Sequence, residues 1–406
     1  MHDARQLEPP PYQRELVEYL RAEQAELWQW FSSHRVRAEH SESARLDLLK
    51  TTYRIDRDTQ PRLYELAAGA GRGLGLDVPL MLYQAQQPLG LNASIAYIPA
   101  EAHVVLHGPL TETLDEAELT ALFAHELTHF LLAHRGDGDF LVAEQLLAAM
   151  TNDISAEPAH FASDRLYRLY TEILCDRGAL AATGNLHAAV ATLVKVSTGL
   201  RQVSAESYLR QADEIFSQGE AHTEGLTHPE SFIRARALRL WHERAADAED
   251  EVRRMIEGPL ALASLDLLGQ RRVAQLTRRL IDAMLAPAWM QSEGLVAHAG
   301  LYFDEYAPPV AGADDPRLAE DLATTDDALR DYYCYVLLDF ITADRDLEEA
   351  PLAAAFELAG SLNLAERFEP IARKELSLSK KQFERIQRQA ARILSEAASA
   401  AVGAVP

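Results

Sequence analysis

The chain of 406 residues is poor in cysteine, poor in basic residues and free of long apolar runs. Its two cysteines, Cys175 and Cys334, lie far apart in sequence, which excludes a disulfide framework and a cysteine-based zinc site. Lys and Arg total 39 against 62 Asp and Glu, for a net charge of -23. Nucleic acid and anionic membrane surfaces select for basic patches, so neither is expected as the main partner. No run approaches the roughly 18 apolar residues of a membrane span, and the start, Met1 to Pro11, has no apolar signal core. No tandem repeat is apparent. The expectation is a soluble cytoplasmic protein, long enough for two or three domains.

What is present centres on the run from Glu116 to His134, which holds His125-Glu126-Leu127-Thr128-His129. Thr113 and Glu116 read as a capping box before it and Gly136 as a C-cap after it, giving a helix of about five turns. It is apolar on nearly every side, so it is expected to be buried, and two buried histidines and a glutamate need something to satisfy them. Residues i and i+4 share a helix face, so His125 and His129 can direct two imidazole nitrogens at one point. Glu126 points about 100° away, placed to hold a water beside a metal without ligating it. This is the spacing of zinc peptidases.

A catalytic zinc with two histidine ligands needs a third protein ligand and an open position. His134 is five residues past His129 and lies well around the helix. The extended signature with a third histidine just downstream is absent, since Leu132 and Arg135 stand there. A second helix, Leu166 to Leu180, offers Glu172 and Asp176 at i and i+4. Two like charges on one face repel mildly unless a cation intervenes. Glu172 is the expected zinc ligand, and Asp176 the acceptor for the free ring nitrogen of a ligand histidine, most simply His125. The alternative is a solvated acidic face with Arg177 as counter-ion. Cys175 reads as a small packed residue.

Before the zinc helix, apolar spacing predicts helices over Tyr12–Trp30 and Pro61–Arg72. Strands are predicted at Val78–Tyr83, Ser94–Ile98 and His103–His107, the last two joined through Pro99 to Ala102. A free sheet edge beside the metal helix could bind an extended peptide as an added strand. His103 and His107 share a strand face and read as structural.

Several motifs in order resemble the HtpX-type gluzincin metallopeptidases, the family that also holds the CAAX prenyl endopeptidases and the mitochondrial Oma proteins. They are Asn92-Ala93, Glu101 to Leu110, Leu114 to Leu119 leading into His125–His129, Glu172 to Arg177, and Thr227-His228-Pro229 followed by Arg234. The resemblance covers roughly residues 45 to 245. It implies one zinc on His125, His129 and Glu172, Glu126 as general base, Asp176 behind a ligand histidine, His228 near the developing oxyanion, and Arg234 supporting the site, with Arg236 as a competitor for that role. Many members of the family are integral membrane proteins, and the spans they carry are missing here, so a soluble subgroup is the better comparison. Nothing resembles the Gly-x-Met-Glu-Asn motif of helical gluzincin aminopeptidases.

The expected fold class is α+β and mostly helical: a gluzincin core with a small β-sheet beside the zinc helix, followed by a C-terminal helical bundle. The expected division is a metallopeptidase domain over 1–245, a helical extension over 246–303, a linker over 304–316, a helical domain over 317–400 and a disordered tail over 401–406. Amphipathic stretches at Asp331–Ala343, Glu348–Leu362 and Lys380–Ala400 build the last domain. Its stretch Leu337 to Glu349 weakly resembles TerB-type helical domains. Asp344, Asp346 and Glu349 lack the glycine of a compact calcium loop and read as a helix cap. The expected function is a zinc metalloendopeptidase acting on a peptide or protein held as an extended strand. The rival is a latent or weakly active binding protein, with the C-terminal domain either docking a partner or making an autoinhibitory contact.

Overall fold

The computed structural model describes residues 7–87, 90–98, 100–219, 221–310 and 315–403, without the side chains of 34–41 and 400–403. Residues 1–6, Pro99 of the expected strand connection, 311–314 of the expected linker and 404–406 of the expected tail lie outside the described residues. The structure is mostly helical with one four-stranded sheet, an α+β arrangement. The chain divides into two compact units, residues 1–258 and 259–406.

The first unit begins with α1 (Pro11–Glu23), α2 (Ala25–Ser32) and α3 (His34–Thr51). A single helix over Tyr12–Trp30 is expected from the apolar spacing, but the backbone breaks at Gln24, at φ -120° and ψ 40°. The break turns Trp28 and Phe31 into the core and leaves Leu27 and Trp30 exposed. Next come β1 (Thr52–Arg54), α4 (Pro61–Gly73), β2 (Leu80–Ala85), β3 (Asn92–Ile98) and β4 (Glu101–His107). The sheet order is β1-β2-β4-β3, with β2 and β4 parallel and the outer pairs antiparallel. β4 is the buried centre, and β3 is an edge with no strand beyond it among the described residues. β1 escapes sequence reading because three residues carry no period.

A short turn, α5 (Leu110–Thr113), leads into α6 (Glu116–Ala133). The cap of α6 differs from the expected Thr113/Glu116 pair. Because residues 110–113 form their own turn, with the Thr113 hydroxyl donating to the Pro109 carbonyl, the cap moves two residues on. The Asp115 carboxylate accepts from the Glu118 amide at 2.9 Å, and Glu118 Oε2 accepts from the Asp115 amide at 2.8 Å. Lys195 Nζ then donates to Glu118 Oε2 at 2.7 Å in a buried pair. The helix closes at His134, whose ring bonds the Phe130 carbonyl rather than turning to the site. Gly136 and Gly138 follow at φ +59° and +92°, conformations that cost glycine little.

Four helices follow: α7 (Asp139–Asn152), α8 (Pro158–Thr183), α9 (Leu186–Thr198) and α10 (Ala205–Ser217). α11 (Ser231–Glu243) and α12 (Ala248–Glu257) complete the unit. α8 crosses α6 at Gly178, where an added Cβ would lie 1.8 Å from Thr128 Oγ1. That crossing brings the histidines of α6 level with the carboxylates of α8.

The second unit contains α13 (Leu267–Leu285), α14 (Glu293–Ala299), α15 (Leu318–Ala323), α16 (Asp327–Thr342), α17 (Ala350–Ser361), α18 (Ala365–Glu375) and α19 (Lys380–Gly403). Leu280 and Leu285 of α13 share one core with Tyr333, Phe340 and Phe368. Residues 259–303 of the expected extension and the C-terminal helices therefore pack as one body, while α12 belongs to the first unit. The Asp344 side chain accepts from the Asp346 amide at 3.0 Å, and Glu349 pairs with Arg385, which places these acidic groups in a cap and a surface ion pair. α18 contains Pro370 yet packs Phe368, Ile371 and Ala372 onto this core, a face at helical spacing that sequence reading passed over.

Candidate metal centre

α6 presents His125, Glu126 and His129, α8 presents Glu172 and Asp176, the segment entering α11 brings His228, and α11 itself brings Arg234. All seven line one cavity of about 530 Å³. The groups of α6 and α8 are where their helices put them: i and i+4 on each, with the Gly178–Thr128 contact setting the distance between the two pairs.

Glu172 faces both imidazoles. His125 Nε2 is 3.5 Å from its Oε2 and His129 Nε2 is 3.5 Å from its Oε1. Those distances are long for hydrogen bonds, so the three donors face one another across a gap instead of satisfying each other. Ligands about 2.1 Å from a shared tetrahedral ion sit roughly 3.4 Å apart. The donor set thus fits a zinc ion in both spacing and type. The thiol of Cys175 also lies within 4.8 Å of donors on both histidines. Burial, with Glu172, Glu126 and Asp176 nearby, pushes that thiol's pKa well up, which keeps it a neutral and poor ligand beside an anionic carboxylate.

Around this gap the hydrogen bonds are directional. Asp176 Oδ1 lies 3.1 Å from His125 Nδ1, leaving Nε2 turned to the gap. Arg234 donates from Nε to Asp176 Oδ2 and from Nη2 to Asp176 Oδ1, both at 2.7 Å, and its Nη2 lies 3.2 Å from Glu172. Arg236 turns away instead, pairing with Glu251 at 2.7 Å. His228 Nε2 sits 3.6 Å from Glu172 Oε1 on a side chain that is 54% exposed, so it reaches the gap from the solvent side. His103 and His107 stay in the sheet, bonded to Tyr83 and Glu101 and to Ser94 respectively.

Burial and partners split the ionisation of neighbouring groups. Burial opposes charge on Glu172, yet Arg234, His125 and His129 together hold it well below the usual carboxylate range. Asp176 is lowered too: burial resists, and Arg234 and His125 overcome it. For His125, burial is outweighed by Asp176 and Glu172, and its pKa rises to about 10. His129, with burial dominant and no such acceptor, falls to about 4. Burial lifts Glu126 to about 7, a value suited to proton exchange at neutral pH.

The opposite walls of the cavity differ in character. Along one side runs the edge strand, with Asn92 to Ile95 and Tyr97. Ala189, Thr192, Leu193 and Val196 of α9 form an apolar wall, fixed to α6 by the Lys195–Glu118 pair and by the Thr192 hydroxyl donating to the Glu118 carbonyl. Sequence reading did not anticipate this wall, although the 189/192/193/196 spacing marks one helix face.

Residues 62–242 match peptidase family M48. The chain is also 28% identical over 214 residues to the plastoglobule-localized metallopeptidase 48, chloroplastic, of Arabidopsis thaliana, a match covering 48% of this chain and 61% of that protein. The chain thus spans about three fifths of the length of that relative. Among the described residues no helix is long and apolar enough to cross a membrane. The HtpX-type motifs and the match to peptidase family M48 coincide on one segment, residues 62–242.

Proposed function

We propose that the first unit is a zinc-dependent metalloendopeptidase. The observation that carries this is the convergence of the His125 and His129 Nε2 atoms on the two oxygens of Glu172, each at 3.5 Å, with Glu126 buried in the same cavity. His125, His129 and Glu172 would hold the ion. Bound zinc supplies Lewis acidity, which lowers the pKa of water towards about 7 and polarises a carbonyl.

The remaining chemistry belongs to the chain. A peptide adds as a strand along β3, so its backbone amides orient the scissile bond over the gap. Glu126 takes a proton from the attacking water on its carboxylate and returns it to the leaving amine nitrogen. His228 Nε2 donates to the carbonyl oxygen as that atom gains charge. Asp176 and Arg234 keep His125 and Glu172 in their facing orientation without touching substrate. The apolar wall of α9 accommodates an apolar side chain beside the scissile bond. The name of the Arabidopsis relative places that protein at plastoglobules of the chloroplast; the cytoplasmic location expected here from sequence is carried as part of the proposal.

The test is metal analysis of the purified protein together with cleavage of an unfolded model protein. The expected result is one zinc per chain and cleavage, with Glu126→Gln retaining zinc and losing turnover by about 10²- to 10⁴-fold. Zinc without cleavage would favour a binding protein. Failure to take up zinc at all would overturn the site.

A further inference from the structure

The loop from Thr223 to Glu230 carries His228, yet it lacks regular structure and its functional histidine is more than half exposed. Such a side chain can act in a defined geometry only if its backbone is tethered. The tether comes from Arg165 on α8. Its Nε donates to the Gly225 carbonyl at 2.8 Å and its Nη2 to the Thr223 carbonyl at 2.7 Å. The loop then closes on itself: a Cβ at Gly225 would lie 2.0 Å from the His228 carbonyl oxygen, so that carbonyl folds directly over the clamped residue. The Glu224 amide donates to Glu230 Oε1 at 3.0 Å, and the buried Thr223 donates its amide to the Met255 carbonyl at 2.7 Å.

Arg165, Glu172 and Asp176 stand at i, i+7 and i+11 of α8, which at 100° per residue puts all three within about 20° of one line. His228 is therefore held between two arginine contacts to the same helix face, Arg165 before it and Arg234 after it. We propose that Arg165 is a positioning residue that fixes His228 over the cleft by clamping the Thr223 and Gly225 carbonyls. This rests on the role given to His228 in the proposed function, though the clamp itself can be read separately.

The experiment uses the full chain loaded with zinc, as wild type, Arg165→Met, Arg165→Lys, His228→Ala and the Arg165→Met/His228→Ala pair. Two readouts are taken: kcat and KM on an unfolded model protein, and amide hydrogen exchange over 221–230. Arg165→Met is expected to speed exchange at Thr223 and Glu224 and to lower kcat about 10- to 100-fold with KM within about twofold. It should add no further loss in the His228→Ala background, and Arg165→Lys should recover part of the rate. Unchanged exchange, or full losses that multiply in the double variant, would overturn the proposal. If His228→Ala leaves turnover intact, the role of His228 falls while exchange still decides the clamp. If wild type does not cleave, the peptidase reading falls and exchange again decides the clamp alone.

Discussion

Gly178→Ala is the sharpest perturbation of the geometry on which the site depends. The new Cβ would lie 1.8 Å from Thr128 Oγ1, 2.8 Å from its Cβ and 2.9 Å from its Cγ2. Ordinary contact begins near 3.4 Å, so α6 and α8 must part by about 1.6 Å at this point. Rotating Thr128 gives only partial relief, because its Cβ is itself too close and the residue is 1% exposed. Overpacking a tight core costs about 1–3 kcal/mol, and this contact belongs at the upper end. For a unit of this size that lowers Tm by roughly 6–12 °C. The same displacement separates His125 and His129 from Glu172, so zinc affinity falls together with stability. Thermal unfolding and zinc titration on wild type, Gly178→Ala and Gly178→Ala/Thr128→Ala check this. The second substitution removes Oγ1 and Cγ2 but leaves Cβ, so it should restore part of both losses. A Gly178→Ala protein with wild-type Tm and zinc affinity would refute the close helix crossing and the argument built on it.

Two further outcomes follow from buried charge. Arg234→Met leaves Asp176 and Glu172 ionised without their cation, so it should cost about 3–5 kcal/mol by chemical denaturation. Arg234→Lys should recover only part, since one ammonium cannot reproduce two parallel N–H donations to Asp176. Glu144 on α7 is lifted to about 7 by burial, with Arg168 opposing and Asp164 adding to the rise. Its folded pKa is above its unfolded value, so the stability it contributes is complete below about pH 4.5 and is lost as pH rises through about 7. Glu144→Gln should therefore match wild type near pH 4.5 and exceed it by about 1–3 kcal/mol above pH 7. A difference independent of pH between 4.5 and 8 would sink that assignment.

Much of the site could be read along the chain because it is helical. The i, i+4 spacing of His125 and His129 puts both rings on one face wherever α6 lies, and the same holds for Glu172 and Asp176 on α8. Periodicity likewise announced α4, α6, α8, α16, α17 and α19, but it passed over α3, α7, α9, α10 and α11 and could not give helix ends. The α6 cap moved from Thr113 to Asp115 because residues 110–113 closed a turn of their own, and the Tyr12–Trp30 pattern concealed the break at Gln24. The three-residue β1 lay below any pattern, and in α18 the proline hid a face of Phe368, Ile371 and Ala372 that does repeat at helical spacing.

Distances between elements belong to the tertiary structure alone. Nothing along the chain states that Gly178 meets Thr128, although that contact sets the 3.5 Å gap between the histidines and Glu172. The choice of Arg234 over Arg236 was decided by the side of α11 that packs on α8, and the clamp of Arg165 on the His228 loop joins residues 58 and 60 positions apart. Local sequence determined which groups share a helix face, since helical geometry is intrinsic to the backbone. Which faces meet, and how closely, depends on packing summed over the whole core, and only the folded unit contains that information.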